Sequence, residues 1–459
     1  MLQGLTQDVK DWAAQQWGAA KLGDKRRTAR AVTVGAQLAA NPAAQLPEQT
    51  GSWEALKAAY RLLNEEDVTH AKLGTAHWDA TRKQARLRDG VVLFIQDGTE
   101  LNFSHHPKVV GLGRLNKLRQ HGMLLHTCLA TPVEPAEILG LAAQRVWLRP
   151  PKPAKKESKH ACSQRANEYD VWAEILQEIG PAPAPQSGVK WISVGDRASD
   201  IYGYFRQAQE LGWEVVARAG RDRMIETVEG ERAHLLVWAR QLSSQATTTV
   251  ELRGRDGRPA RTASLQVAWA DCDLPAPRWG KERGGPHLRV SVVRTWEASP
   301  PPGSEPLDWV LVTSLMVRGA ADALQVIAYY EKRWLIEEYH KCLKTGCAME
   351  ARQLETGAGL QALLGLLAIL AVRLLCLREV SRQQPDRPAR QVIAPELIQT
   401  VQRYFHLPPG EMTACAFWRT VARLGGFLGR KSDGDPGWQT LWRGWLKLQD
   451  LAWQPDSVP

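Results

Sequence analysis

The sequence predicts an α/β protein whose core carries a β-rich insertion and lies between helical N-terminal and C-terminal regions. Helical patterns fill roughly the first 70 residues. From Gly90 onward, short apolar runs typical of buried strands alternate with helical segments, as in layered α/β folds. Between about Ala233 and Pro306 β-like runs interrupt this alternation, and helices resume at about Ala320 and dominate to the end.

Length and composition indicate a globular chain of two or three domains. The 459 residues exceed the size at which a single core stops growing, which is about 250 to 300 residues. Hydrophobic residues make up 44% of the chain and charged residues 24%, which excludes a disordered or fibrous protein. The formal net charge of +10 suits a polyanionic partner such as DNA, although many basic proteins bind no nucleic acid.

The helices and strands of the first half are predicted one by one. Asp24 is suited to N-cap a helix that ends near Asn41, and a second helix runs from about Ser52 to Leu63. The first core strand is Val91–Ile95, followed closely by Asp97. Further strand-like runs are Leu124–Ala130, Ile138–Val146, Trp191–Val194 and Glu214–Ala217, with a helix over about Gln164–Ile179.

The second half begins with the β-rich insertion. Its strand-like runs are Thr248–Leu252, Ala263–Trp269 and Leu288–Trp296, and a proline-rich linker follows at Ser299–Gly303. Beyond it, the apolar stretch Ala362–Val372 is too short to cross a bilayer and predicts a buried core helix.

Cysteine usage and the first residues bear on location. The seven cysteines are odd in number and form no Cys-x-x-Cys pair, so they are interpreted as reduced thiols. Met1 leads into the amphipathic segment Val9–Trp17 rather than into a signal sequence. We therefore expect a cytoplasmic protein without a membrane partner.

Two aspartates follow strands, where ligands of α/β sheets usually gather. Asp97 closes the run Phe94–Asp97, and Asp196 closes Ile192–Asp196. An aspartate in this position commonly just caps the next turn, so neither residue alone predicts a site.

A third feature is a polar stripe on one predicted helix. Tyr330, Arg333, Glu337, Lys341 and Lys344 follow one another at helical spacings and fall within an arc of roughly 80°. An ordinary solvated helix face looks similar, but one carboxylate among cationic and phenolic groups suits a site for phosphates and a metal.

The three acidic residues together indicate a metal. Carboxylates that converge repel each other by about 4 kcal/mol per pair at ~4 Å in an effective dielectric near 20, so a divalent cation is needed between them. Oxygen ligands without a His or Cys cluster favour Mg²⁺, with Mn²⁺ as a substitute, over zinc. Two such ions would clamp the attacking and leaving oxygens of a phosphoryl transfer.

Three motifs carry a family resemblance. Gln96–Leu101, Gly195–Asp200 and Tyr330–Lys341, the last followed by Lys344–Gly346, resemble the DDE transposases of the insertion-sequence-four group. The Tyr-Arg-Glu-Lys-Lys spacing of the third motif is highly specific. The likeness covers most of the chain and is weakest between residues 101 and 186.

The resemblance implies a fold, a triad and a reaction. Asp97, Asp196 and Glu337 would be the metal-binding catalytic triad of a ribonuclease-H-like fold with a β insertion at about 233–306. The implied domains are an N-terminal DNA-binding domain at 1–70, the catalytic domain at 71–383 and a C-terminal dimerisation domain at 384–459. The implied activity is cut-and-paste transposition: nicking of the element's end, hairpin formation and joining of the 3′ end to target DNA.

The resemblance also implies DNA contacts. Trp309 would stack on a flipped base, although with 19 tryptophans a core role is equally natural for any one of them. The N-terminal arginines would contact the element's end, although each also fits a solvated helix face. The full set of expected contacts is Tyr330, Arg333, Lys341, Lys344, Trp309, Arg26, Arg27, Arg30 and Arg218, with Arg221, Arg223, Arg258 and Arg261 as weaker candidates.

The C-terminal region is rich in aromatic residues. Phe417, Trp418, Phe427, Trp438, Trp442 and Trp445 lie there, more than a small domain needs for its own core. The family uses this region to dimerise, so we expect a homodimer in a synaptic complex with the DNA ends, associated with the bacterial nucleoid.

Two alternatives remain open on the sequence alone. Another ribonuclease-H-like nuclease would keep the acidic triad but needs no long β insertion. A domesticated protein that binds ends without cutting would have lost an acidic residue, and all three are present.

Overall fold

The computed structural model describes residues 9–117, 119–150, 168–252, 261–383, 385–430, 433–436 and 438–453. Its N-terminal part is helical, as predicted. Asp24 caps the second helix by accepting the backbone N–H of Arg26, and Ser52 caps the fourth. The helices are α1 Val9–Trp17, α2 Lys25–Ala40, α3 Leu46–Thr50, α4 Trp53–Leu63 and α5 His70–Arg86; α5 was not predicted.

The core sheet combines an antiparallel meander with two parallel strands. The meander is β1, β3 and β4, and β5 and β6 then run parallel to β1 on its other side. This order, β4-β3-β1-β5-β6, brings the ends of β1 and β5 together. The elements are β1 Gly90–Asn102, β2 Gly113–Arg114, β3 His121–Pro132, β4 Gly140–Trp147, α6 Val171–Ile179, β5 Val189–Gly195, α7 Tyr202–Glu210 and β6 Glu214–Arg218.

The strands predicted at about 233–306 continue the core sheet. The next strand, β12, comes just after that range and pairs antiparallel with β6, and β11 and β10 follow outward. Across the described ranges the result is one sheet of 12 strands. The elements are β7 Met224–Thr227, β8 Arg232–His234, α8 Leu235–Gln241, β9 Ala246–Leu252, β10 Arg261–Leu274, β11 Leu288–Trp296 and β12 Asp308–Thr313.

The polar stripe lies on two helices and a turn, so the prediction of a single helix was wrong. The α-helix breaks at Lys332 and Arg333, restarts at Trp334, and ends in a π-helical turn over Cys342–Gly346, where the Cys347 N–H donates to the Cys342 carbonyl. The helices are α9 Ala320–Glu331, α10 Trp334–Lys341, α11 Gly357–Gln383, α12 Pro395–Tyr404, α13 Ala414–Leu424 and α14 Trp438–Trp453.

Helix α11 is the central helix of the main hydrophobic core. Its apolar part, Gly357–Cys376, is long enough to cross a membrane, yet 89% of that window is buried inside the protein. It packs against α5, α4 and α10. The prediction of a buried core helix over Ala362–Val372 is therefore confirmed.

Three of the six C-terminal aromatic residues are buried. Phe417, Trp418 and Trp445 are 0%, 7% and 6% exposed, and the rings of Trp418 and Trp445 lie 5.2 Å apart. The expectation of surplus aromatic surface is therefore wrong for these three, because α13 and α14 pack against each other. Phe427 is half-buried, and the side chains of Trp438 and Trp442 lie outside the described residues. The six cysteines within the described ranges are free thiols.

Candidate active site

Asp97 and Asp196 lie level with each other on neighbouring parallel strands. The last residues paired between β1 and β5 are Ile95 and Val194, and each aspartate comes two residues later. The sequence predicts that Asp97 ends its strand, and this prediction was wrong. Strand β1 continues to Asn102 by pairing with β3, so Asp97 lies where β1 and β5 separate.

Asp97 is a buried carboxyl in a negative environment. Its side chain is 18% exposed and accepts the backbone N–H of Gly98 at 2.7 Å. Burial, followed by the nearby charge of Asp196 and a smaller contribution from Glu337, raises the pKa of Asp97 to about 7, and Arg333 opposes this rise. The three acidic side chains therefore share one electrostatic neighbourhood.

Asp196 also caps the turn after β5. Its carboxylate accepts the N–H of Ala198 at 2.9 Å, at the start of a 3-10 turn over Arg197–Ser199. Four residues on, the buried Asp200 accepts the N–H groups of Gly220 and Arg221 and so ties this turn to the loop after β6.

Glu337 reaches the same edge from α10, which packs against β1. Arg333 lies between Glu337 and Asp97: one guanidinium nitrogen is 2.5 Å from the Glu337 carboxylate and another is 3.5 Å from that of Asp97. The Arg333 side chain is 16% exposed. The guanidinium thus supplies the positive charge between two of the three carboxylates.

The donor set fits a hard divalent cation. Asp97, whose pKa is raised in part by the charges of Asp196 and Glu337, would gain from a cation with oxygen-ligand preference, and Mg²⁺ and Mn²⁺ have that preference. Within the described ranges no three such side chains already stand close enough to hold an ion. The guanidinium of Arg333 instead lies between Glu337 and Asp97.

A buried polar network supports the site from below, and the sequence did not reveal it. Gln96 is fully buried, donates to Ser193 at 3.0 Å and contacts His126 at 3.0 Å. Tyr204 donates to the same serine at 2.6 Å. These bonds link β1, β3, β5 and α7 directly beneath the two aspartates.

A cavity of about 500 Å³ opens beside the carboxyl end of β6. Three arginines and Trp309 give it cationic and aromatic walls. The Trp309 ring meets that of Tyr330 edge to face at 5.1 Å, and Arg218 donates to the Asp308 carbonyl at 3.1 Å. The lining residues are Arg197, Arg218, Arg240, Glu305, Pro306, Leu307, Asp308 and Trp309.

The lysines of the stripe surround the site less closely. The Lys341 ammonium is 3.4 Å from Glu338 and 5.1 Å from the centre of the Trp334 ring. Lys344, on the π-helical turn, is 3.8 Å from Glu350. Tyr330 is 5% exposed, because α9 turns it inward toward Trp309.

The three N-terminal arginines differ in their surroundings. Arg26 is 92% exposed and pairs with Asp24, and Arg30 is also exposed. Arg27 is half-buried and bonded to Glu65 at 2.5 Å and to Asp67 at 2.9 Å. Arg26 and Arg30 are thus the more accessible pair.

Two of the arginines predicted as weaker DNA contacts form ion pairs within the protein. Arg223 is ion-paired with the buried Asp200, and Arg261 is ion-paired with Glu297. Neither is free to line a DNA channel in this conformation, whereas Arg221 is exposed. Arg258 lies outside the described residues.

Three family models match the chain. A transposase DNA-binding model matches residues 9–68, a transposase DDE domain model matches residues 160–373, and the transposase Tn5 dimerisation domain matches residues 369–454. Asp196 and Glu337 lie within the DDE match, whereas Asp97 lies outside it.

The matches establish the general function. They indicate DNA as a partner and assembly as a homodimer, and DDE domains generally use divalent metal ions. The expected homodimer is therefore supported. The DDE domain implies a ribonuclease-H-like core. The chain belongs to the DDE transposases, enzymes that cleave DNA and transfer its strands, and resembles the transposase of Tn5.

Proposed function

We propose that this enzyme is a cut-and-paste transposase that frees its element through a hairpin intermediate, with Asp97, Asp196 and Glu337 as the catalytic triad. The proposal is supported mainly by the position of Asp97, which lies in the field of both Asp196 and Glu337 and shares Arg333 with Glu337, at the edge of the sheet that also borders the Trp309 cavity.

The triad would hold Mg²⁺, or Mn²⁺ in its place, with two ions per site. Such ions supply a nucleophile at neutral pH and stabilise charge on the attacking and leaving oxygens. The aspartates come from rigid, paired strands, whereas Glu337 comes from a short helix. Arg333 would leave the carboxylates for a DNA phosphate, which a guanidinium binds in the same bidentate manner.

The Trp309 cavity supports the hairpin step. A hairpin forces a sharp bend at the DNA end, and a base that leaves the stack gains roughly 1 to 3 kcal/mol by stacking on an aromatic ring. Trp309 offers that ring, and Arg218 offers a cation for the adjoining phosphate. Lys341, Lys344 and the Tyr330 hydroxyl would contact phosphates on either side.

Recognition and assembly follow the proposed domains 1–70, 71–383 and 384–459. Arg26 and Arg30 would contact the terminal DNA directly, because they are exposed on one face of α2. Arg27 would act mainly by holding α2 in place. Two copies would bring two ends together in a synaptic complex, in the bacterial cytoplasm at the nucleoid.

The test is cleavage of labelled duplex that carries the inverted repeats flanking the gene, in Mg²⁺, Mn²⁺ or Ca²⁺. We expect nicks, hairpins and joined products in Mg²⁺ and Mn²⁺, and none from Asp97→Ala, Asp196→Ala or Glu337→Ala. End binding without cleavage in any metal would exclude the proposal.

A second pair of variants tests the hairpin step. Trp309→Ala should still nick but form at least 10-fold fewer hairpins. Trp296→Ala is the matched control, because this tryptophan lies on the adjacent strand under Arg294 at 4.2 Å and outside the cavity lining. Equal hairpin yields from both variants would contradict the role of Trp309.

A further inference from the structure

Glu338, the residue after Glu337, is one of the most deeply buried carboxylates of the catalytic region. Its side chain is 4% exposed. Successive residues of an α-helix point about 100° apart, so Glu338 faces away from the acidic site while Glu337 faces it. None of the proposed chemistry uses Glu338.

Three side chains, two from α10 and one from α11, donate to this carboxylate. One oxygen accepts the Trp334 indole N–H at 2.8 Å and the Lys341 ammonium at 3.4 Å. The other accepts a guanidinium N–H of Arg378 on α11. Trp334 lies one turn before Glu338 and Lys341 nearly one turn after it. The Glu338 carboxylate therefore binds the side chains of the first and the last residue of α10.

Helix α10 depends on such anchors. It has eight residues, too few for an isolated helix to be stable, and it lies between the break at Lys332–Arg333 and the π-helical turn. Its other anchor is Tyr339, whose hydroxyl bonds to Gln144 at 3.0 Å and to the Ala368 carbonyl at 3.3 Å.

Stability alone gives little reason for a charged pair at this position. Replacing a buried ion pair by apolar side chains of similar volume is often neutral or stabilising, whereas the pair fixes one geometry. Here the pair fixes the position of Lys341 directly. By fixing the rotation of α10 about its axis, it also fixes the positions of Arg333 and Glu337.

We propose that Glu338 is a positioning residue for DNA cleavage: anchored by Arg378, it sets the rotation of α10 and the direction of Trp334 and Lys341. The proposal rests on the proposed catalytic role of Glu337. Glu338 itself touches neither DNA nor metal in this scheme, and it acts through the helix that it holds.

The experiment separates positioning from stability. The variants are Glu338→Gln, Arg378→Met and the double variant Glu338→Met/Arg378→Met, in the full-length protein. For each we would measure urea unfolding, the Kd for end DNA in Ca²⁺ and the single-turnover nicking rate at saturating enzyme. Glu178→Gln is the matched control, because Glu178 also accepts two arginines, Arg82 and Arg145, but lies on α6.

We expect the double variant to recover the stability lost by the single variants and to bind ends normally. Its nicking rate should stay at least 10-fold below wild type, because Trp334 and Lys341 still lack their acceptor. The nicking rate of Glu338→Gln, which keeps an acceptor oxygen, should lie between those of the wild type and the double variant. Glu178→Gln should nick at the wild-type rate. A double variant with the wild-type rate, or rates that simply follow stability, would overturn the proposal.

The outcome for wild-type protein separates this inference from the proposed function. If the wild-type protein nicks DNA but forms no hairpin, the hairpin mechanism is contradicted. The nicking rates of the Glu338 variants would still test the positioning role of Glu338. Full activity of Glu337→Ala would remove the basis of both.

Discussion

Substituting Asp97 with asparagine should change how the stability of the metal-free protein depends on pH. Burial, with the nearby Asp196, raises the pKa of Asp97 from its ordinary value of 3.8 to about 7. Between these two values the folded state binds the proton more tightly than the unfolded chain, so the free energy of unfolding falls as the pH rises. The loss is nearly complete about one pH unit above the folded pKa.

The magnitude follows from the width of that window. Between pH 5 and pH 8 the loss is about 3 kcal/mol, from the two pH units between pH 5 and the folded pKa at ~1.4 kcal/mol each. Asparagine carries no titrating proton. We therefore expect Asp97→Asn to gain about 3 kcal/mol over wild type between pH 5 and pH 8, although its shape and burial are similar.

The assay is urea unfolding followed by circular dichroism, with EDTA present, for both proteins at pH 5, 6, 7 and 8. Other titrating groups affect both proteins alike, so the quantity of interest is the difference between them at each pH. A difference that stays constant from pH 5 to pH 8 would refute the reasoning about Asp97.

Three further predictions follow. Arg30→Ala should weaken binding to end DNA and reduce the salt dependence of that binding, without lowering the melting temperature. Arg27→Ala should lower the melting temperature, because it removes two ion pairs. Gel shifts and thermal melts test both variants, and the reverse pattern would contradict the prediction. Tyr339→Phe should cost about 1 to 3 kcal/mol in urea unfolding, since its buried partners lose their bonds; an unchanged unfolding midpoint would argue against this. Leu428→Glu should weaken the dimer in sedimentation experiments but leave monomer stability unchanged, because Leu428 is 68% exposed; an unaltered dimerisation constant would remove Leu428 from the interface.

Much of the site was predictable because strand ends are readable in a sequence. The apolar runs before Asp97 and Asp196 match the buried parts of β1 and β5, and parallel neighbours bring their ends together. The family motif then singles out Glu337 over Glu338. The structure adds a physical reason for that choice, since Glu338 is already bound by Arg378.

The remaining features depend on long-range contacts or on small changes of helical pitch. The break before Trp334 and the π-helical turn leave the hydrophobic spacing almost unchanged, so the sequence looks like one continuous helix. Helix α5 escaped prediction because it buries polar residues and a glycine, among them His70, Gly74 and His77, where an apolar stripe is expected. The partners of Gln96 lie 30 and 97 positions away in the sequence, beyond any local pattern.

The pairing of β12 with β6 has a consequence for engineering the molecule. The strand that carries Trp309 is hydrogen-bonded to the last strand of the nuclease core, with Leu311 opposite Arg218. Removing β12 together with the strands that lie outside it would leave β6 with an open edge, which invites self-association. These strands are therefore not a detachable accessory. A smaller protein could be made from this chain only by designing a new edge, because backbone hydrogen bonds between neighbouring strands join the Trp309 cavity to the part of the sheet that carries Asp97 and Asp196.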